Sequence, residues 1–198
     1  MLADLYFVRH GQTALNQAKL LQGRSDFDLD SSGISQAARV GQWFREQGIR
    51  FDCVFSSPLR RAVQTAGLIS NTTAVLDDRL IEMDYGPYEG ADLTDPPEEL
   101  LYFFQDFIHH PAPPGMESLS QVVSRLGDFL ESLRDAPPGR SILISTHAIA
   151  LKGALEYLTP ESGGGYWSKH IGNCAVYRAE LTERGFQIPE LLMGTSKN

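Results

Sequence analysis

Cysteine and positive charge are both scarce in this chain. The 198 residues hold two cysteines, Cys53 and Cys174. Both sit in apolar, strand-like contexts (FDCVF and NCAVY) without metal-ligand spacing. Buried free thiols in a reducing cytoplasm are therefore expected. Seventeen basic residues stand against twenty-five acidic ones, a net charge of -8. That balance excludes any sequence-wide attraction for DNA, RNA or anionic lipid, so neither nucleic acid nor membrane is an expected partner. No apolar run approaches the ~18 residues needed to cross a bilayer. The opening MLADLYFVRH has Asp4 inside it, no basic residue before it and no cleavage-like site, so it does not read as a signal peptide. Internal repeats and low-complexity segments are lacking. So are an EF-hand loop, a GxxxxGK[ST] loop and an HExxH pair, and neither metal nor cofactor is expected.

The remainder is an ordinary globular composition: 42% hydrophobic, 10% aromatic and 21% charged. One domain spanning 1–198 is expected, since domains run to ~100–200 residues. A chain of this size buries ~70% of the surface it would expose unfolded. LADLYFV is a short apolar run ending in Arg9-His10-Gly11, a strand entering a loop. Ser32 to Gly48 has Ala37, Ala38, Val40, Gly41, Trp43 and Phe44 near one helical face. FDCVFSS (51–57) predicts a buried strand. Pro58 stands at the first turn of a helix reaching about Ile69. TAVL (73–76) is a short strand. Helices are predicted at Glu98–Ile108 and Ser118–Leu133, around the loop HHPAPPGME, and Pro137-Pro138-Gly139 then breaks the chain. Ser141–Ser145 reads as a strand, Ala148–Leu158 as a helix, and about 173–181 and 185–192 as strands.

Strands alternating with helices predict an α/β fold, a three-layer α/β/α sandwich on a mostly parallel sheet. Ligands bind such sheets at the carboxyl ends of the strands. His10 follows the first strand, Arg60 and Arg61 the second, and His147 the strand SILIST. Arginine offers a planar fork matched to phosphate oxygens. A neutral histidine can attack phosphorus, and neighbouring cations disfavour its protonation. Taken singly, each residue also has a bland reading: a loop histidine, a solvated Arg60-Arg61 pair, an exposed turn carboxylate at Glu82. The pattern points to an anion site without naming a reaction.

Longer segments carry more information. Leu5 to Thr13 with Asn16 resembles the Arg-His-Gly signature of the histidine phosphatase superfamily, the phosphoglycerate mutase-like proteins. Leu21-Gln22-Gly23-Arg24 with Asp28-Leu29 is similar to its phosphate-loop extension. Asp30 to Ala37 stands where the family has LTxxGxxQA, and Ser56 to Ala66 resembles SSPLxRAxQTA. Leu80-Ile81-Glu82 through Gly86-Pro87-Tyr88-Glu89-Gly90 resembles LxE…GxWEG, and Pro114 to Ser118 resembles PGGES. Ile144 to Ala148 resembles the second-histidine motif, and Gly172-Asn173-Cys174 continues the series.

The resemblance implies roles. His10 would become phosphohistidine. Arg9, Arg61 and His147 would hold the non-bridging oxygens, with Arg61 rather than Arg60 because it precedes Ala62. Glu82 would protonate the leaving oxygen and later activate water. Asn16, Gly23 and the Ala148 amide would support the phosphate. Gln12, Tyr88 and Met116 depart from the Glu, Trp and Gly usual in the family, all near the expected mouth.

Residues about 83–117 would form a lid-like insertion. Between Arg79 and Arg125 there is neither Lys nor Arg, while Asp84, Glu89, Asp92, Asp95, Glu98 and Glu99 are acidic. A polyanionic substrate would meet like charge there. A metal-independent phosphatase is therefore expected, acting on a small phosphate monoester whose far end is neutral, apolar or cationic. A phosphoglycerate mutase and a non-catalytic phosphate-binding module are the competing classes. Tyr85, Tyr88, Met116 and Glu117 are the expected substrate contacts of the lid. Phe103, Phe104 and Phe107 have helical spacing and suit core packing.

Overall fold

The computed structural model describes residues 2–135 and 138–194, so Met1, Pro137 of the expected chain break and the last four residues lie outside the described residues. The strands are β1 (Ala3–Arg9), β2 (Cys53–Ser56), β3 (Val75–Leu76), β4 (Arg140–Thr146), β5 (Val176–Thr182), β6 (Gly185–Phe186) and β7 (Glu190–Met193). The helices are α1 (Ala14–Gln17), α2 (Ser31–Glu46), α3 (Arg60–Ser70), α4 (Glu98–Gln105), α5 (Leu119–Ser132) and α6 (Ala148–Leu158).

These strands form one sheet in the order β3-β2-β4-β1-β5-β6, with β7 also paired to β5. β3, β2, β4 and β1 run parallel, and β5 is antiparallel to β1. Both faces are covered, as the apolar strands require. Alternation along β1 divides the core. Leu5 and Phe7 join one cluster with residues of α5 and α6. Tyr6 and Val8 join the other, with Val40 and Phe44 of α2 and Ala66 and Ile69 of α3.

Register matters more than order for the site. Arg9 pairs with Thr146, so the next residues on two neighbouring parallel strands, His10 and His147, emerge at the same level of one rim. Ser56 pairs with Ser145, which brings Ser57 to that rim as well. The α2 N-terminus, capped by the Asp30 carboxylate on the Gly33 N–H at 2.7 Å, is pressed against the His10 loop. A Cβ on Gly33 would lie 2.1 Å from the Gln12 carbonyl oxygen, so only glycine permits this approach.

Some boundaries differ from the sequence reading, for local reasons. α4 stops at Gln105 rather than Ile108, because the Asp106 side chain accepts the N–H groups of Ile108 and His109 and turns the chain. α3 begins at Arg60, and Pro58 stays in the connection, where the Ser57 hydroxyl accepts the Leu59 N–H at 3.3 Å. The segment 185–192 forms two short strands instead of one. The four-residue helix α1 is held by a reciprocal cap between Thr13 and Asn16, too short to leave a periodic trace. Among the described residues no helix is long and apolar enough to cross a membrane.

Candidate active site

His10 is 3% exposed, and its ring centre lies 5.1 Å from that of His147. Nδ1 of His10 is 2.7 Å from the Gly11 carbonyl oxygen. A carbonyl only accepts, so the proton sits on Nδ1 and the Nε2 lone pair is left free. Burial, then Arg61 and Arg9, hold the His10 pKa well below the usual 6.5. The imidazole is therefore neutral at pH 7. His147 shares a hydrogen bond with the Ser57 hydroxyl through Nε2 at 2.8 Å. Burial depresses its pKa too, followed by Arg61, His10, Arg9 and Arg125.

Two buried guanidinium groups surround this pair. Arg61 is wholly buried and donates through Nη1 to the Ser25 carbonyl at 2.7 Å and through Nη2 to the Gly23 carbonyl at 2.6 Å. Arg9 donates through Nη1 to the Ile171 carbonyl at 2.6 Å. Burial lowers the Arg61 pKa to about 10 and shifts Arg9 downward as well. Both groups stay charged, and among the described residues their hydrogen bonds go only to backbone carbonyls. Arg9 Nε, Arg61 Nε and His147 Nδ1 are buried nitrogens with no hydrogen-bond partner among the described residues. Buried cations and donors left in this condition are costly unless an anion completes them. Arg60, by contrast, is exposed and pairs with Asp28.

Glu82, 3% exposed, approaches from a third segment that follows the single helical turn Asp78–Leu80. Its Oε1 accepts the N–H groups of Met83 and Ala150, each at 2.9 Å, and Oε2 accepts that of Ile149 at 3.2 Å. Ile149 and Ala150 open α6, where the amides lack helical partners and the dipole favours negative charge. The helix that begins after His147 thus also seats the carboxylate. Thr146 donates its hydroxyl to the Leu80 carbonyl at 2.7 Å. Arg125 donates through Nη1 to the carbonyls of Arg79 at 2.7 Å and Ile81 at 2.6 Å. The backbone on either side of Glu82 is pinned by these bonds.

The supporting residues fall into two groups. Asn16 accepts the Asn173 side-chain N–H at 3.2 Å, and the same amide group donates to the His10 carbonyl at 3.0 Å. Asn16 therefore steadies the His10 backbone through Asn173. The Gly23 N–H is donated to the Glu89 carboxylate at 2.9 Å, while the Gly23 carbonyl serves Arg61. Ala148 is half-buried as the first residue of α6. Four residues come from the 83–117 segment. Tyr85 is a buried core residue, and Tyr88 and Met116 are half-buried against the same cluster. Glu117 is tied to Arg125 Nε at 2.7 Å and accepts the Asp84 N–H at 3.1 Å.

Sequence reasoning gave no role to Ser57, Thr65, Arg125 or Lys152. Thr65 accepts the Gly11 N–H at 3.0 Å and donates to the Arg61 carbonyl at 2.7 Å, linking the His10 loop to α3. Its signal was its position one turn after Arg61 in an amphipathic helix, which suits packing equally well. Among the described residues no group of three His, Cys, Asp or Glu side chains is arranged to hold a metal ion.

A protein of Hydrogenobacter thermophilus named "Putative phosphoserine phosphatase 2" is 33% identical over 179 residues, covering 87% of this chain and 86% of the relative. A Yersinia pestis protein named "Probable phosphoglycerate mutase GpmB" is 32% identical over 92% of this chain and 86% of its own length. The fold matches that of an Entamoeba histolytica phosphoserine phosphatase solved with phosphoserine, with a TM-score of 0.82, 23% identity and 98% of each chain covered. The family model for the histidine phosphatase superfamily, branch 1, matches residues 5–192, and the chain belongs to that family.

Proposed function

We propose that this chain is a phosphatase that hydrolyses a small phosphate monoester through a phosphohistidine on His10, as a single domain whose 83–117 segment serves as the lid. The observation that carries the reading is the tautomer of His10. Its Nδ1–H is committed to the Gly11 carbonyl. Nε2 is therefore a free nucleophile among two guanidinium groups that have only carbonyl partners.

Nε2 attacks phosphorus as the bond to the leaving oxygen breaks, and Glu82 delivers its proton to that oxygen. Arg9, Arg61 and His147 take the charge on the non-bridging oxygens, where one arginine is worth ~10³–10⁵ in rate. Water then gives a proton to the Glu82 carboxylate as its oxygen attacks phosphorus. The N–P bond breaks, inorganic phosphate leaves, and Glu82 is protonated for the next cycle. Asn16 acts here by steadying the His10 backbone, and Gly23 and Ala148 line the phosphate loop and the α6 N-terminus.

Hydrolysis is favoured over mutase chemistry because residues 80–124 hold no Lys or Arg to grip a second phosphate while an intermediate turns over. A small phosphorylated metabolite is in keeping with the names of the relatives, and two free cysteines suit a cytoplasmic setting. Incubation with a ³²P-labelled aryl phosphate and rapid acid-free quenching tests the reading. Label should appear on the wild-type protein and be absent from His10→Ala. Label retained by that variant would overturn the assignment. Rapid, bisphosphoglycerate-primed interconversion of phosphoglycerates would make the chain a mutase.

A further inference from the structure

A cleft of about 490 Å³ opens between the segment that follows α4 and the turn before Ile171. Phe104, Phe107 and Trp167 form its walls, and Lys152, Lys169 and His170 also line it. Three observations attach it to the centre described above. Lys152 stands four residues after Ala148 on α6, about 6 Å further along the helix and on the same face. The charges that act on its ammonium are those of Glu82 and Arg9. Arg9 also donates to the Ile171 carbonyl, next to His170.

Lys152 is an unusual residue for this place. It is 8% exposed, in a helix that is otherwise almost entirely apolar. Nζ donates to the Trp167 carbonyl at 2.7 Å and lies 5.0 Å from the centre of the Phe107 ring. No carboxylate is within ion-pair distance of it among the described residues, so a buried ammonium faces the cleft with one carbonyl and one ring as its partners. Lysine is rarely buried without a paired charge.

We propose that this cleft is the leaving-group subsite of the active centre, and that Lys152 Nζ binds a carboxylate carried by the alcohol part of the substrate. The proposal rests on the phosphatase reading above and narrows its substrate class. Phe107 and Trp167, whose rings lie 6.3 Å apart at 28° between planes, present flat apolar walls to the carbon skeleton. The acidic lid segment argued for a neutral, apolar or cationic far end. The cation comes instead from α6, the opposite wall. The one buried ammonium of the cleft suits a carboxylate, while Lys169 and His170 line it from the exposed side.

The test compares phenyl phosphate with 3-carboxyphenyl phosphate, which differ only in the group Lys152 would meet. Wild-type kcat/KM should favour the carboxylated ester by about tenfold or more, the scale of a charge-assisted hydrogen bond in a desolvated cleft. The preference should collapse to about one in Lys152→Met and survive in Lys152→Arg. A second readout needs no variant. Burial lowers the Lys152 pKa to about 8, with Glu82 raising it and Arg9 lowering it. Asp106, Lys169 and His170 also line the cleft. The wild-type preference should fade above pH 8, because kcat/KM reports the free enzyme. No wild-type preference, or a preference kept by Lys152→Met, overturns the subsite while leaving the phosphatase reading intact. Failure to hydrolyse either ester, with no label on His10, removes both.

Discussion

At the rim where β1 and β4 end, the side chains of the proposed catalytic centre His10, Arg61 and Glu82 are buried and held by the backbone. His10 leans on the Gly11 carbonyl, Arg61 on those of Gly23 and Ser25, and Glu82 on the amides of Met83, Ile149 and Ala150. The wall of the proposed leaving-group cleft is built differently. Phe104 and Phe107 are half-buried, Lys169 and His170 are exposed, and the turn after α4 hangs on the side chain of Asp106. The first region is preorganised, with charges fixed before substrate arrives, as phosphoryl transfer requires. The second combines the buried Lys152 and Trp167 with more exposed side chains. Reactivity and selectivity are therefore separable, and mutations in the two regions should differ in kind as well as in size.

The sharpest way to break that contrast is at the nucleophile. His10→Ala should lower kcat by on the order of 10⁴-fold or more for every ester tested, whatever its leaving group. Turnover within tenfold of wild type would mean that the rim is not the reacting region. Next in size is Glu82→Gln. A positioned general acid contributes ~10²–10⁴. The full loss should appear with alkyl phosphates, whose alkoxide leaves poorly, and a smaller one with 4-nitrophenyl phosphate. An equal loss for both esters would show that Glu82 serves the architecture and not the leaving oxygen.

Sequence showed the rim more clearly than the wall. His10 and His147 each follow an apolar strand run, and a parallel sheet gathers such ends, so their meeting was legible. The register that levels them, Arg9 with Thr146, is a tertiary fact with no trace in either segment alone. Arg61 was separable from Arg60 only through resemblance, because both stand at a helix start and only packing buries one of them. The burial of Tyr85 was not legible. Loop position suggested access, whereas the loop folds beneath Gly23, where an added Cβ would lie 2.6 Å from the Tyr85 ring. Lys152 left the faintest signal, one of two charges with Glu156 in an otherwise apolar helix, whose meaning depends on Trp167 and Phe107 arriving from elsewhere.

Stability against pH offers a third comparison, since only the rim carries buried histidines. His10 and His147 have folded-state pKa values well below 6.5, so below about pH 6.5 the unfolded chain binds protons that the folded one refuses. Their contribution is fully present above pH 6.5 and is lost as pH falls. Each histidine adds at most about 1.4 kcal/mol per pH unit to that slope. Urea midpoints measured from pH 7 to pH 5 should fall steeply for wild type and less for His147→Gln. Parallel curves would show that the pair is not buried in the neutral form.

The smallest expected effect lies where the two regions are joined. Arg125 reaches from α5 to the Arg79 and Ile81 carbonyls and also holds Glu117 of the 83–117 segment. We propose that it is a positioning residue that acts on the reaction chiefly through Glu82. Arg125→Met keeps the stem of the side chain and removes these donors. If it lets the Glu82 segment relax by a fraction of an ångström, kcat should fall about tenfold for alkyl phosphates, because small displacements of a catalytic group are costly. The 4-nitrophenyl ester should be affected less and KM hardly at all, since the phosphate cradle of Arg9 and Arg61 is untouched. A merely structural role would lower the activity toward both esters together. A rise in KM with kcat preserved would instead mean that Arg125 belongs to the binding wall, and the division between reactivity and selectivity would have to be drawn on the other side of α5.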